Sequence, residues 1–147
     1  MDPISLTVSI TSLLLGCTKI TKAAHDARSK YKGASLTISS IATECSAVTV
    51  ALSHLQSILS SKSNVLDETT IGCLDCVITG CTLTLSVLEE YVVELQTAPN
   101  LTPNDPKALT RMDKAKVVWN EAEMRELLQQ LQGHKSSITL LLTIAQR

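Results

Sequence analysis

The sequence predicts an all-α protein, an antiparallel four-helix bundle with one short accessory helix before the last long helix. Three observations carry this reading. Apolar residues recur in steps of three and four along four separate stretches, the period of a helix with one buried face. The links between those stretches are short or modest, which makes successive helices antiparallel neighbours. The 147 residues, 44% hydrophobic and 18% charged, suffice for one packed core. The expected organisation is a single domain over 1–147, with helices at 3–28, 35–61, 68–97, 110–118 and 120–146 and a proline-rich loop over 98–109.

The first helix starts at Asp2-Pro3, where Asp can cap and Pro fits the first turn because its missing N–H has no partner there anyway. Leu6, Ile10, Leu13, Cys17, Ile20 and Ala24 form its stripe, and Ile4, Val8, Leu14 and Leu15 widen it over most of the circumference. No charge occurs from Pro3 to Thr18; Lys19 and Lys22 mark the change to an amphipathic helix, which ends before Gly33.

In the second helix Ile38, Ile41, Cys45, Val48, Leu52, Leu55 and Leu59 alternate steps of three and four, and the pattern fades in the turn composition of Ser60 to Asn64. The third begins near Asp67 or Thr69 and carries Ile71, Leu74, Ile78, Cys81, Leu85, Leu88, Val92 and Leu95. Its many Val and Thr residues favour a strand by propensity. Its length excludes one, since strands rarely pass about 10 residues. Gly72 and Gly80 lower helix propensity but permit close helix approach.

Ala98 to Pro106 reads as an exposed loop, followed by the short helix with Leu109, Met112, Ala115 and Val118 or Trp119 inward. Asn120 caps the last helix, with Glu121 and Glu123 favourable in its first turn. Met124, Leu127, Leu131, Ile138, Leu141 and Ala145 form its stripe, and His134 falls on that stripe as a bundle-edge residue. Gly133 is a candidate kink.

Composition excludes several functions. A net charge of −1 and three aromatic residues, Tyr31, Tyr91 and Trp119, argue against a nucleic-acid partner. The start has no basic n-region and no small-residue cleavage site, so no secretory signal is expected and the localisation is cytoplasmic. The uncharged run is shorter than the about 20 residues of an ordinary membrane span. The five cysteines, Cys17, Cys45, Cys73, Cys76 and Cys81, all fall within apolar helical patterns and read as small buried hydrophobes in a reducing compartment.

Cys73, Cys76 and Cys81 invite a metal reading, but no second pair completes the four ligands zinc needs, so no metal is expected. Cys73 and Cys76 share a helix face, apart from Cys81. His25, His54 and His134 have no evident nucleophile to serve, and there is no phosphate-binding or nucleophile-elbow motif. No cofactor is expected and no enzyme.

The uncharged first helix has two readings. One is a central helix buried in the bundle. The other is a segment that leaves the bundle and enters a bilayer. They are compatible if the helix is buried at rest and released on activation.

Met1-Asp2-Pro3-Ile4-Ser5-Leu6-Thr7-Val8-Ser9-Ile10, followed by Leu13-Leu14-Leu15, resembles the opening of the N-terminal helical domains of filamentous-fungal signalling proteins. Trp119-Asn120-Glu121 through Leu127, Leu131 and His134 to Leu142 resembles their closing helix. Such domains precede NACHT/STAND-type NTPase or ankyrin repeat regions. They include the type named after an azaphilone-pigment-cluster protein, related to the HeLo-like domains of fungal cell death. The resemblance implies an effector or regulatory bundle of programmed cell death or innate immunity. Such a bundle self-associates and is recruited to the plasma membrane when its sensor region oligomerises, a logic similar to that of the mixed-lineage kinase-like necroptosis protein. By position it assigns membrane interaction to Ile4, Leu6, Val8, Ile10, Leu13, Leu14 and Leu15, and it makes membrane lipids and a C-terminal NTPase or repeat region the expected partners. The alternative is a protein-interaction or oligomerisation bundle with no membrane activity.

Overall fold

The computed structural model describes residues 3–30, 35–61, 66–97 and 121–145. They form four helices, α1 (Pro3–Lys30), α2 (Ser35–Ser60), α3 (Glu68–Thr97) and α4 (Glu121–Ala145), with no strand among the described residues. The fold is all-α. The ends of the four helices fall within two residues of those expected from periodicity. The accessory helix expected at 110–118 and the loop at 98–109 lie outside the described residues.

Hydroxyl residues are tolerated in these helices because they turn back on them. Thr49 Oγ1 donates to the Cys45 carbonyl at 2.8 Å and Thr82 Oγ1 to that of Ile78 at 2.8 Å. Asp67 caps α3: its Oδ1 accepts the Thr70 N–H at 2.7 Å, and hydrogen bonds from Thr70 hold the carboxyl below its usual range. At the far end of α2, the Ser61 N–H donates to the Ile58 carbonyl at 3.2 Å, tightening the last turn.

The helices occupy the corners of a square. α1 packs on α2 and α3, and α4 packs on the same two; α1 lies diagonally from α4, and α2 diagonally from α3. The link from α2 to α3 therefore joins opposite corners. Polar bonds cross every side of the square. Gln56 Nε2 donates to Thr11 Oγ1 at 2.9 Å, joining α2 to α1. Lys19 Nζ meets Glu89 Oε1 at 2.8 Å between α1 and α3. Lys135 Nζ meets Glu44 Oε2 at 2.8 Å between α4 and α2. Tyr91 OH donates to Glu123 Oε1 at 2.8 Å between α3 and α4, and that bond raises the phenol's pKa. The pairings 84 with 134 and 91 with 123 run in opposite senses, so α3 and α4 are antiparallel.

The core follows the sequence stripes. Leu6, Ile10, Ile41, Leu52, Leu74, Leu88, Leu131 and Ile138 are among its buried side chains. A smaller cluster of Ala23, Ala24, Ala27, Ile38, Ala42 and Val92 closes the other end of α1. Cys17, Cys45 and Cys81 are buried among the aliphatic residues, each from a different helix. A hydrogen bond to Cys17, together with burial, keeps the Cys45 thiol protonated, and burial pushes Cys81 up to about 12.

One expectation about these elements is corrected. Cys73 and Cys76 are exposed, not buried. They lie about 100° or more round the helix from each residue of the Ile71–Leu74–Ile78 stripe, on the side that faces away from the core. Gly133 is exposed and lies within α4, which continues past it to Ala145.

Candidate functional surface

The structure splits the seven residues assigned to membrane interaction into two faces of α1. Leu6, Ile10 and Leu13 are buried in the core, and Leu14 is half-buried against it. Ile4, Val8 and Leu15 point outward at 76%, 62% and 69% exposure. The expectation of a central, well-buried helix is therefore corrected. Among the described helices α1 is a corner helix with two neighbours, α2 and α3, so only part of its circumference is covered by them.

The outer face is built by the same helical period as the inner one. Ile4, Val8 and Leu15 lie within about 40° of one another around the axis at 3.6 residues per turn. Thr11 and Ser12, exposed on the same side, fill the gap between Val8 and Leu15. The face carries no charge until Lys19, which is tied to Glu89. Its threonines use their protons internally: Thr11 Oγ1 donates to the Thr7 carbonyl at 3.0 Å and Thr18 Oγ1 to that of Leu14 at 3.0 Å. Hydroxyl donors satisfied in this way need no water. Among the described residues, the other exposed large apolar side chains are Leu36 and Val50 on α2, Leu83 on α3, and Leu140 and Ile144 on α4.

The first helix also proves longer than its uncharged run. Ile4–Arg28 spans 25 residues and contains an 18-residue window with a mean hydropathy of 1.4, and by length and composition alone it could cross a membrane. So could Leu36–Ser60 and Glu68–Glu94, whose 18-residue windows have mean hydropathies of 1.3 and 1.8. Of the three, the α1 segment is the least covered by the rest of the bundle, with 28% buried against 39% and 33%.

Among the described residues, no group of three or more His, Cys, Asp or Glu side chains is placed to hold a metal ion. His25 lines an open groove between α1 and α2 with Thr18, Lys22, Ser46 and Thr49. His54 is exposed on α2. His134 lies between α4 and α3, its Nε2 3.0 Å from Thr84 Oγ1. Thr84 is buried, and its Oγ1 donates to the Gly80 carbonyl at 3.1 Å, with Gln130 Oε1 at 3.4 Å. This arrangement fits His134 as the neutral Nε2–H tautomer, donating to a threonine whose proton is already used. It is a helix seam rather than a nucleophile and base. Burial lowers the pKa of His134, which opposes its protonation there.

The seam was only half visible in the sequence. Gly80 stood out as a site of close approach and His134 as a stripe residue, but nothing paired them across 50 or more positions.

A family model described as pigment biosynthesis cluster protein PigL N-terminal matches residues 1–146. The chain belongs to this family. The match spans both ends that carried the resemblance and the middle of the chain between them. No curated protein and no solved structure matches the chain.

Proposed function

We propose that this PigL N-terminal domain is a non-catalytic effector or regulatory module of fungal signalling. In this reading it acts by self-association and by conditional membrane contact through the outer face of α1. The observation that carries the reading is the stripe of Ile4, Val8 and Leu15 on a corner helix, uncharged and with the Thr11 and Thr18 hydroxyls bonded back to the helix. Apolar side chains exposed in a row on an uncharged helix favour a bilayer interface or a partner surface over water. Such a face can act from the folded bundle, so no release of the inner residues is required. The relation to HeLo-like cell-death domains is part of the same proposal. So are a cytoplasmic resting state, recruitment to the plasma membrane, and a sensor region of NTPase or repeat type that drives oligomerisation.

The test is dye release from anionic vesicles by the purified protein, as isolated and when oligomerised through a fused multimeric tag. Release by the oligomer, reduced by Val8→Glu and Leu15→Glu at unchanged thermal stability, is the expected result. Intact vesicles at all concentrations would refute the membrane role. Intact vesicles together with a concentration-dependent dimer that the same substitutions break would establish the alternative, an interaction bundle without membrane activity.

A further inference from the structure

The Cys-x-x-Cys pair on α3 has no part in the reading above. Cys17, Cys45 and Cys81 are buried, whereas Cys73 and Cys76 are both free and exposed. They lie three residues apart within the unbroken helix Glu68–Thr97. Side chains at that spacing are neighbours on a helix surface, with Cβ atoms about 5–6 Å apart.

That separation decides what the pair can do. A disulfide brings its Cβ atoms to about 3.5–4.5 Å, closer than an undistorted helix places them. The helix therefore resists closure of the pair on itself and leaves a dithiol. Two sulfurs at this spacing can instead reach one ion from either side. Zinc normally takes four ligands, and no third His, Cys, Asp or Glu joins the pair among the described residues. Asp75, between them in sequence, projects about 100° or more round the helix from either thiol. Soft thiolates select soft ions, and among biological metals monovalent copper is the one that accepts two ligands.

We propose that Cys73 and Cys76 form a surface two-thiolate site for a single monovalent copper ion. On binding, each thiol loses its proton and each sulfur forms one bond to copper. Two protons are released per ion and nothing is oxidised or reduced. The three buried thiols do not compete, since they lie in the core and the Cys45 and Cys81 thiols are held protonated. The site is independent of the membrane reading, because it needs only α3.

The test is a titration of the reduced protein with monovalent copper, free of oxygen, against a chromophoric chelator, with circular dichroism to follow the helices. The expected result is one ion per chain with helical content unchanged. Cys73→Ser and Cys76→Ser should each weaken binding by about tenfold or more, and the double variant should abolish it. No uptake in competition would overturn the proposal. So would uptake that survives both substitutions, or a stoichiometry of one ion per two chains. Because both positions are exposed, serine there is compatible with folding, and the dichroism checks this directly.

Discussion

His134 lies across the backbone of Gly80: a Cβ added to this glycine would stand 2.9 Å from His134 Cε1, closer than side chains tolerate. Glycine here lets α4 approach α3, so Gly80→Ala should destabilise the protein. Overpacking of this kind costs about 1–3 kcal/mol, offset by about 0.5–1 kcal/mol from the better helix propensity of alanine. Gly72 has nothing within 4 Å of its added Cβ, so Gly72→Ala should stabilise. Urea unfolding of both variants checks the contrast. Adding His134→Ala to Gly80→Ala should recover part of the loss; no recovery would mean that the contact is not the cause.

The same histidine should make stability fall in mild acid. Burial lowers its pKa below the ordinary 6.5, so the unfolded chain takes up the proton more readily than the folded one. Its contribution is complete above 6.5 and is lost as the pH falls through the folded-state value. The groups that face it, Thr84, Gln130 and the Gly80 backbone, are uncharged and offer an imidazolium no counter-charge. Comparing urea midpoints at about pH 8 and about pH 5.5, the drop should be smaller in His134→Gln than in the wild type. Groups elsewhere titrate alike in both proteins and cancel in that comparison. Equal drops would place the acid sensitivity elsewhere.

The helices were legible because each buries one stripe, and the stripe's period survives even in α3, whose Val and Thr residues favour strands. The arrangement of the corners was not legible. Nothing in a single stripe says whether its neighbour is the next helix or the one after, and here α3 contacts α1 and α4 but not α2. That matters most for α1. Leu13 and Leu15 are alike in sequence, yet one is 4% and the other 69% exposed, because a corner helix meets partners on two sides only. The fates of the cysteines diverge for a similar reason. Cys81 continues a stripe, whereas Cys73 and Cys76 lie about 100° or more round the helix from it and are exposed.

Core and surface leucines should respond very differently to truncation. Leu52 and Leu85 are 0% and 3% exposed within the main cluster. Changing either to Ala should cost about 2–5 kcal/mol, the sum of lost burial and the cavity left behind. Leu83, two residues from Leu85 but 66% exposed, should change stability by less than about 0.5 kcal/mol on the same substitution. Thermal and urea unfolding check all three. A large loss at Leu83→Ala would mean that its face is covered in solution, most simply by a second copy of the chain.

The decisive comparison for α1 is between adjacent turns of its two faces. Leu13→Glu puts a charge into the core and should unfold or strongly destabilise the bundle, so any loss of membrane activity there carries no information about the surface. Leu15→Glu and Val8→Glu place the charge on the outer face, where folding should be nearly unaffected. If that face enters a bilayer interface, each carboxylate must be desolvated or lifted out, and vesicle binding should weaken on the order of tenfold or more. Thr11→Val, on the same side, removes a hydroxyl that donates to the Thr7 carbonyl and accepts from Gln56, so it should strengthen vesicle binding or leave it unchanged at a small cost in stability. Co-sedimentation with anionic vesicles measures all four variants on one scale. Outer-face variants that bind as the wild type does would remove α1 from the membrane contact and leave its exposed stripe to a protein partner.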